Sequence, residues 1–243
     1  MKAVVMAGGK GTRLNGIKAR SFNKHALPVF DRPIIEHVVK TLVNGGVMKI
    51  LVLLDGTWPQ SIMEILEDGS RFGSSVEIFY RYICEGRSPG RDLQLAESWV
   101  GKDDFVLMLG DGLFANALQF TKVKAPHIWV MPLEGLDDPA KYAQVKLNGD
   151  QVIELHEKPK KKFSNLIQTG VWLFPPQVFE DVRKIAKAHK ENDEVAIGLL
   201  SEWYVSQHRM TCTEIPPLSY IDIGTPEALH TAWKMMEKNS KQS

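Results

Sequence analysis

Apolar residues fall into short runs bounded by Gly, Asp or Pro. In the first half of the chain these runs predict β-strands at residues 3–6, 50–54, 76–82, 105–109 and 127–131. Most of the runs are continuous rather than alternating, which is typical of strands that are buried on both faces of a sheet. Helical spacing between the runs predicts helices at residues 34–43, 60–66 and 93–99. The alternation predicts an α/β fold in which helices cover a parallel sheet.

The second half of the chain has a different pattern. Two strand-like runs flank Asn148-Gly149-Asp150, which is a signal for a β-hairpin turn. Beyond the hairpin, the pattern predicts a strand at 168–174, helices at 177–189 and 194–206, a strand near 210–214 and a helix at 226–237. Thr225 and Pro226 suit the N-cap and the first position of that last helix.

Composition and charge exclude several classes of protein. The 243 residues are 44% apolar and carry a formal net charge of +1, so no overall field draws the chain to nucleic acid or to a membrane. No apolar run approaches the ~20 residues of a membrane span, and the N-terminal MKAVVMAGG is too short and glycine-rich for a signal peptide. The two cysteines form no CxxC motif. We therefore expect a cytoplasmic protein with reduced thiols and with no nucleic-acid or membrane partner.

A glycine-rich segment, AGGKGTRL at residues 7–14, follows the first predicted strand directly. Consecutive backbone N–H groups in such a turn form a cradle for anions. The segment is not a Walker A motif, which requires GxxxxGK[ST]. It also lacks the third glycine of a dinucleotide fingerprint, and Asp55 lies too far along to be that fingerprint's acidic residue. The segment therefore predicts a phosphate site of another kind.

This segment, together with Lys24 in NKHALPV at 23–29, resembles the signature of the sugar-1-phosphate nucleotidyltransferases. The similarity is strongest to the short-chain glucose-1-phosphate thymidylyltransferases. Five further motifs resemble those of the family in the same order: LGDGLF at 109–114, LDDPAKYAQV at 136–145, ELHEKP at 154–159, QTGV at 168–171 and YIDIGT at 220–225. The resemblance implies the nucleotide-diphospho-sugar transferase fold, a Rossmann-like, mostly parallel mixed sheet flanked by helices, with a sugar-binding lobe. We expect one domain over 1–243, with a nucleotide-binding half at 1–135 and an acceptor-binding half at 136–243.

The resemblance also implies a reaction, in which a phosphate oxygen of the acceptor attacks the α-phosphorus of a nucleoside triphosphate and pyrophosphate leaves. Positive groups must neutralise the charge on the transferring group. Arg13 would bind pyrophosphate, Lys24 would face the α-phosphate, and Asp111 and Asp222 would hold Mg²⁺. Arg13, Lys24 and Asp111 are the expected catalytic residues. The expected nucleotide-binding residues are Ala7, Gly8, Gly9, Gly11, Thr12, Arg13 and Gly90.

Acceptor binding is expected from residues of the second half. By resemblance, Glu157 would accept hydrogen bonds from sugar hydroxyls and Lys158 would pair with the sugar phosphate. Gly170 would allow close approach of the sugar, beside Ala143.

Four departures from the family pattern bear on specificity. The phosphate loop is one residue longer, and Gly16 replaces a proline. Ile83 stands where the family has a base-reading glutamine, and Ser88-Pro89-Gly90 replaces a Gly-x-Ala turn. The thymidine preference therefore does not carry over, and Arg87, Arg91 and Asp92 are candidates for reading another base. Ala143-Gln144 replaces a glycine near the sugar, and NDEVAIG at 192–198 replaces a GELEITD run.

The main hypothesis is thus a magnesium-dependent nucleotidyltransferase that joins a nucleoside triphosphate and a sugar 1-phosphate to give an NDP-sugar and pyrophosphate. Two alternatives stay open at this point. The same chemistry could use a non-sugar phosphate or phosphonate acceptor, or the chain could be a non-catalytic nucleotide-binding protein of the same fold. A monomer and a homodimer are both compatible with the sequence.

Overall fold

A computed structural model describes residues 1–8, 23–55, 58–83, 88–134, 139–188 and 195–241. Of the predicted phosphate-loop residues, Gly9, Gly11, Thr12 and Arg13 lie outside this part of the chain, and so does Arg87.

The described residues form an α/β structure. Its strands are β1 Lys2–Ala7, β2 Pro28–Val29, β3 Arg32–Pro33, β4 Lys49–Leu54, β5 Glu77–Tyr82, β6 Phe105–Leu109, β7 Gly112–Phe114, β8 His127–Pro132, β9 Gln144–Asn148, β10 Gln151–His156, β11 Leu166–Phe174, β12 Thr211–Glu214 and β13 Tyr220–Asp222. Its α-helices are α1 Ile34–Asn44, α2 Pro59–Leu66, α3 Pro89–Leu93, α4 Glu97–Val100, α5 Val178–Ala188, α6 Ile197–Ser206 and α7 Pro226–Ser240. None of the helices in the described ranges is long and apolar enough to cross a membrane.

The chain divides into two compact units. Unit 1 comprises Met1–Glu85, Met108–Thr121 and Ser219–Ser243, and unit 2 comprises Gly86–Leu107 and Lys122–Leu218. The expected description as one domain, with a boundary at residue 135, stays a prediction.

Unit 1 is built on continuous apolar strands. β1 pairs in parallel with β4, and β4 pairs in parallel with β5. Every residue of β1 from Ala3 to Ala7 is buried, as the unbroken apolar run predicts. Helix α1 buries apolar residues at helical spacing and packs against β7. It ends at Gly45, where a Cβ atom would lie 2.9 Å from the carbonyl oxygen of Leu118, so this helix end requires glycine.

Unit 2 has a mixed sheet. β11 runs antiparallel to β8, β12 runs parallel to β8, and β9 and β10 form an antiparallel hairpin. The hairpin turns at Gly149, whose φ of +62° suits glycine, and this confirms the predicted turn. Phe105 and Phe179 stack with ring centroids 5.4 Å apart in the core of the unit.

The predicted helix at 93–99 is wrong in its form. The segment is instead α3, a 3₁₀ turn at Gln94–Ala96 and then α4, which ends at Gly101 with φ +73°. Leu93, Ala96 and Val100 are buried, and a spacing of three and four residues fits a 3₁₀ turn as well as an α-helix. Spacing over so short a segment therefore could not distinguish the two.

Candidate functional site

The carboxyl end of β1 leads into the predicted phosphate loop. Ala7 is fully buried, and a Cβ atom on Gly8 would lie 3.1 Å from Cδ1 of Ile83. A larger residue at position 8 would therefore displace Ile83. The contact also places the apolar side chain of Ile83, rather than a polar one, against Gly8, the last described residue at the start of the loop. The nucleotide-binding roles of Ala7 and Gly8 stay predictions.

The turn after the loop is anchored to β1 by a buried polar pair. Asn23 Oδ1 accepts a hydrogen bond from the His25 backbone N–H at 3.0 Å and lies 2.5 Å from His25 Nδ1, while Asn23 Nδ2 donates to the Ala7 carbonyl at 3.5 Å. Burial, together with the charge of Lys24, lowers the pKa of His25 to about 3, so its ring is neutral. The residue between these two is Lys24. Sequence reasoning missed Asn23 and His25, although NKHALP was part of the motif.

Lys24 and Asp111 form an ion pair in unit 1, through Lys24 Nζ and Asp111 Oδ2. Their side chains are only 13% and 15% exposed. Burial alone raises the pKa of Asp111, but neighbouring groups, with the charge of Lys24 first among them, outweigh it, so the net pKa lies below the ordinary value and the carboxylate is ionised. The structure therefore brings together two of the three predicted catalytic residues.

Gly110 makes this approach possible. Its N–H donates to the Met6 carbonyl at 2.9 Å, and a Cβ atom on Gly110 would lie 2.9 Å from that oxygen and 3.2 Å from Ala7 Cα. The chain that carries Asp111 therefore lies directly on the end of β1, where side chains larger than hydrogen do not fit.

Asp222 is brought beside Asp111 by a pair of short strands. β13 pairs antiparallel with β7, so Asp222 lies opposite Gly112, and the Ile223 N–H donates to the Asp111 carbonyl at 2.9 Å. Thr225 then caps α7 by accepting from the Ala228 N–H at 3.2 Å, as predicted. Two carboxylates on adjoining backbone suit a hard divalent cation that also takes phosphate and water oxygens. Within the described ranges, no group of three or more His, Cys, Asp and Glu residues forms a metal cluster.

Among the predicted acceptor residues, Glu157 makes contact with helix α6. Its backbone N–H donates to Glu202 Oε1 at 3.0 Å, and its carboxylate lies against Gly198, the second residue of α6. A Cβ atom on Gly198 would lie 2.6 Å from the Glu157 carboxyl carbon. Lys158 has a left-handed φ of +47°, and its Nζ lies 3.3 Å from Glu157 Oε1 with the side chain 64% exposed. Sequence reasoning did not single out Gly198.

Ala143 and Gly170 lie on or beside neighbouring strands of unit 2. Ala143, just before β9, accepts a hydrogen bond at its carbonyl from the Gln168 N–H at 2.9 Å, and Gly170 is buried in β11. Gln144 is fully buried, and its Oε1 accepts from the backbone N–H groups of Phe163 and Ser164. Gln144 therefore has a structural role that the sequence did not reveal.

Packing accounts for glycine at position 90. The Gly90 N–H donates to the Val195 carbonyl at 2.7 Å, and a Cβ atom there would lie 2.6 Å from that oxygen. Nearby, the Asp92 N–H donates to the Ser88 carbonyl, and Asp92 is buried. A role of Gly90, Arg91 or Asp92 in reading a base stays a prediction.

Known proteins resemble the chain over nearly its whole length. A family model described as nucleotidyl transferase matches residues 2–239. A glucose-1-phosphate thymidylyltransferase of Neisseria meningitidis is 26% identical over 96% of this chain and 81% of its own. Members of this family generally use a divalent metal.

Solved structures share the fold. A Bacillus anthracis protein described as a glucose-1-phosphate thymidylyltransferase, crystallised with sucrose, has a TM-score of 0.87 at 28% identity and covers 97% of this chain and 95% of its own. The inositol-1-phosphate CTP transferase of T. maritima has a TM-score of 0.82 at 18% identity, covering 99% and 96%, and thus shows the fold alone. These likenesses confirm the predicted nucleotide-diphospho-sugar transferase fold. With the Lys24–Asp111 pair and the adjoining Asp222 in place, the chain belongs to the nucleotidyl transferase family, among the sugar-1-phosphate nucleotidyltransferases, and is a nucleotidyltransferase enzyme.

Proposed function

We propose that this enzyme transfers a nucleotidyl group from a nucleoside triphosphate to a sugar 1-phosphate, giving an NDP-sugar and pyrophosphate in a Mg²⁺-dependent reaction. The observation that carries the proposal is the largely buried ion pair of Lys24 and Asp111 at the carboxyl end of β1, with Asp222 on the adjoining backbone. Ligands of open α/β sheets bind at this end of the strands. The relatives named above bear on the acceptor, since the Neisseria protein is a glucose-1-phosphate enzyme.

The reaction forms one bond and breaks one. A phosphate oxygen of the acceptor bonds to the α-phosphorus, and the bond from that phosphorus to the bridging oxygen of the β-phosphate breaks, so pyrophosphate leaves with the electron pair. Lys24 would neutralise charge on the α-phosphate, since its Nζ already meets an anion at this point. Arg13, with Gly8, Gly9, Gly11 and Thr12, would hold the outer phosphates through its guanidinium and their backbone N–H groups.

Asp111 and Asp222 would hold Mg²⁺, which when bound supplies positive charge to the phosphate oxygens. The lowered pKa of Asp111 supports this, because a metal ligand must be ionised. The polar network of Asn23 and His25 holds the Lys24 backbone against β1, so the cation is positioned before substrate binds.

On the acceptor side, Glu157 would accept hydrogen bonds from sugar hydroxyls and Lys158 would pair with the sugar phosphate. Gly170 and Ala143 would border the sugar. We propose that the base is not thymine. Ile83 contacts Gly8 through an apolar side chain, and this side chain cannot form a hydrogen bond with a base edge.

The test is release of pyrophosphate by the purified chain with Mg²⁺, using each of ATP, GTP, CTP, UTP and dTTP against a panel of hexose 1-phosphates and inositol 1-phosphate. We expect turnover with one nucleotide and with a sugar 1-phosphate. Turnover with inositol 1-phosphate alone would instead favour the non-sugar acceptor, and turnover with no pair would contradict the proposal.

The variant Asp111→Asn tests the site within that assay. It should abolish pyrophosphate release, and its melting temperature should fall because Lys24 loses the partner of a largely buried ion pair, so the assay is run well below that temperature. Asp104→Asn is the matched control, because it makes the same chemical change at an exposed residue outside the proposed site. Activity that survives in Asp111→Asn would show that the metal assignment is wrong.

A further inference from the structure

Gln144 and Gln168, two buried glutamines in unit 2, differ in the hydrogen bonds that their side-chain carbonyl oxygens accept. Gln144 Oε1 accepts two backbone hydrogen bonds, at 2.7 and 3.1 Å. Gln168 is only 6% exposed, and its Oε1 has no hydrogen-bond partner among the described residues. A buried acceptor without a partner costs about 1–3 kcal/mol, so its presence calls for an explanation.

The position of Gln168 in the fold suggests one. Its backbone N–H donates to the Ala143 carbonyl, and it lies two residues before Gly170, so it stands between two of the predicted acceptor residues. β11 also loses its register with β8 here, because Gln168 lies opposite Val130 whereas Trp172 lies opposite Ile128. Such irregularities re-aim side chains and are common next to active sites.

We infer that the side-chain amide of Gln168 reads the acceptor, with Oε1 accepting a hydrogen bond from a hydroxyl or amine on the ring of the sugar 1-phosphate. The inference rests on the proposed function and deepens it, because it names a chemical requirement of the substrate. The acceptor carries a hydrogen-bond donor at the ring position that meets β11. An analogue without that donor leaves Oε1 buried and unpaired, so the enzyme discriminates against it.

The requirement is specific to one ring position. With a deoxy analogue at that position, wild-type kcat/KM should fall roughly tenfold to a hundredfold, which corresponds to one lost hydrogen bond and one orphaned acceptor. Analogues altered at other positions lose contacts that do not involve Gln168. The effects of substituting Gln168 and of removing a ring hydroxyl from the substrate should therefore be coupled at one ring position and additive at the others.

The experiment measures kcat/KM for pyrophosphate release with the best sugar 1-phosphate and with its single-deoxy and deoxyfluoro analogues, in the wild type and in Gln168→Met. Methionine keeps the length of the side chain and removes the amide. We expect Gln168→Met to reduce the penalty at one ring position to about threefold or less, and to leave the penalties at the other positions and the KM of the nucleotide unchanged. Its melting temperature should be equal or higher, since an unpaired buried oxygen is removed.

Two further variants serve as controls. Gln168→Leu also removes the amide and should give the same pattern if the methionine variant folds poorly. Gln144→Met should lower the melting temperature, because it orphans the N–H groups of Phe163 and Ser164, without relieving any deoxy penalty.

Equal penalties at every position in wild type and both Gln168 variants would overturn this inference and leave the proposed function intact. Absence of wild-type turnover with every nucleotide and sugar 1-phosphate would overturn both.

Discussion

We expect the lack of a side chain at Gly198 to matter for acceptor binding and not for stability, and Gly198→Ala tests this expectation. The substitution places a methyl group against the Glu157 carboxylate. Ordinary contact begins near 3.4 Å, whereas the new Cβ atom would lie 2.6 Å from the carboxyl carbon and closer still to Oε2, so the carboxylate has to move by at least about 0.8 Å. The Glu157 side chain is 26% exposed and has room to move outward.

The two effects of the substitution have opposite signs. Alanine is favoured over glycine within a helix by up to about 1 kcal/mol, and the exposed Lys158–Glu157 pair contributes little, so the free energy of unfolding should stay the same or rise. Misplacing a binding group by about 1 Å can cost up to a hundredfold in rate. We therefore expect kcat/KM for the acceptor to fall roughly tenfold to a hundredfold, while the KM of the nucleotide is unchanged.

The assay is steady-state pyrophosphate release, with thermal unfolding measured in parallel. Ser206→Ala, at the other end of α6, is the control for an alanine in the same helix. In a Glu157→Gln background, Gly198→Ala should add little, because both substitutions act on the same carboxylate. Acceptor kinetics within twofold of wild type, at unchanged stability, would refute the role given to Glu157.

Three further predictions concern stability and are checked by denaturant or thermal unfolding. Asn23→Ala should cost roughly 2–4 kcal/mol, because the His25 backbone and ring N–H groups lose their buried acceptor and the turn loses its cap; a loss below 0.5 kcal/mol would contradict the network. Gly110→Ala should destabilise the fold by several kcal/mol, since its Cβ atom would meet the Met6 carbonyl and Ala7 Cα, and a wild-type melting temperature would show that this approach is loose. Burial lowers the pKa of His127 to about 4, so the unfolded chain binds its proton first and stability falls as pH drops from about 6.5 to about 4. His127→Gln should remove about 2 kcal/mol of the stability difference between pH 7 and pH 5, and an unchanged difference would contradict the buried neutral ring.

Continuous apolar runs and turn residues were enough to predict most of the fold. β4 and β5 occur where apolar runs end at Asp55 and near Ile83, and Gly149 marked the hairpin correctly. The strands that sequence reasoning missed, such as β7, have two or three residues, too few for any periodicity to show. The pairing of β7 with β13 nevertheless brings Asp222 beside Asp111.

The candidate site was predicted unevenly for a physical reason. Lys24, Asp111 and Asp222 could be proposed as site residues because a motif fixes their chemical type. Asn23 and Gly198 act on other residues, one by filling hydrogen bonds and the other by leaving space. These roles depend on contacts with Ala7 and with Glu157, which lie in other segments of the chain. Two signals pointed to Gly198: it ends the NDEVAIG run that departs from the family pattern, and it stands near the start of a helix, where alanine would be favoured.

The two units position their functional groups in different ways, and this bears on how specificity can change. In unit 1, Lys24 is held through backbone contacts and buried hydrogen bonds, so almost any substitution around it disturbs the fold. In unit 2, the space for the Glu157 carboxylate depends on the missing side chain of one glycine, and the amide oxygen of Gln168 has no hydrogen-bond partner within the described part of the chain. We expect single substitutions at Gly198 and Gln168 to alter recognition at little cost in stability. The transfer chemistry is therefore expected to be the constrained property of this enzyme, and the acceptor the adjustable one.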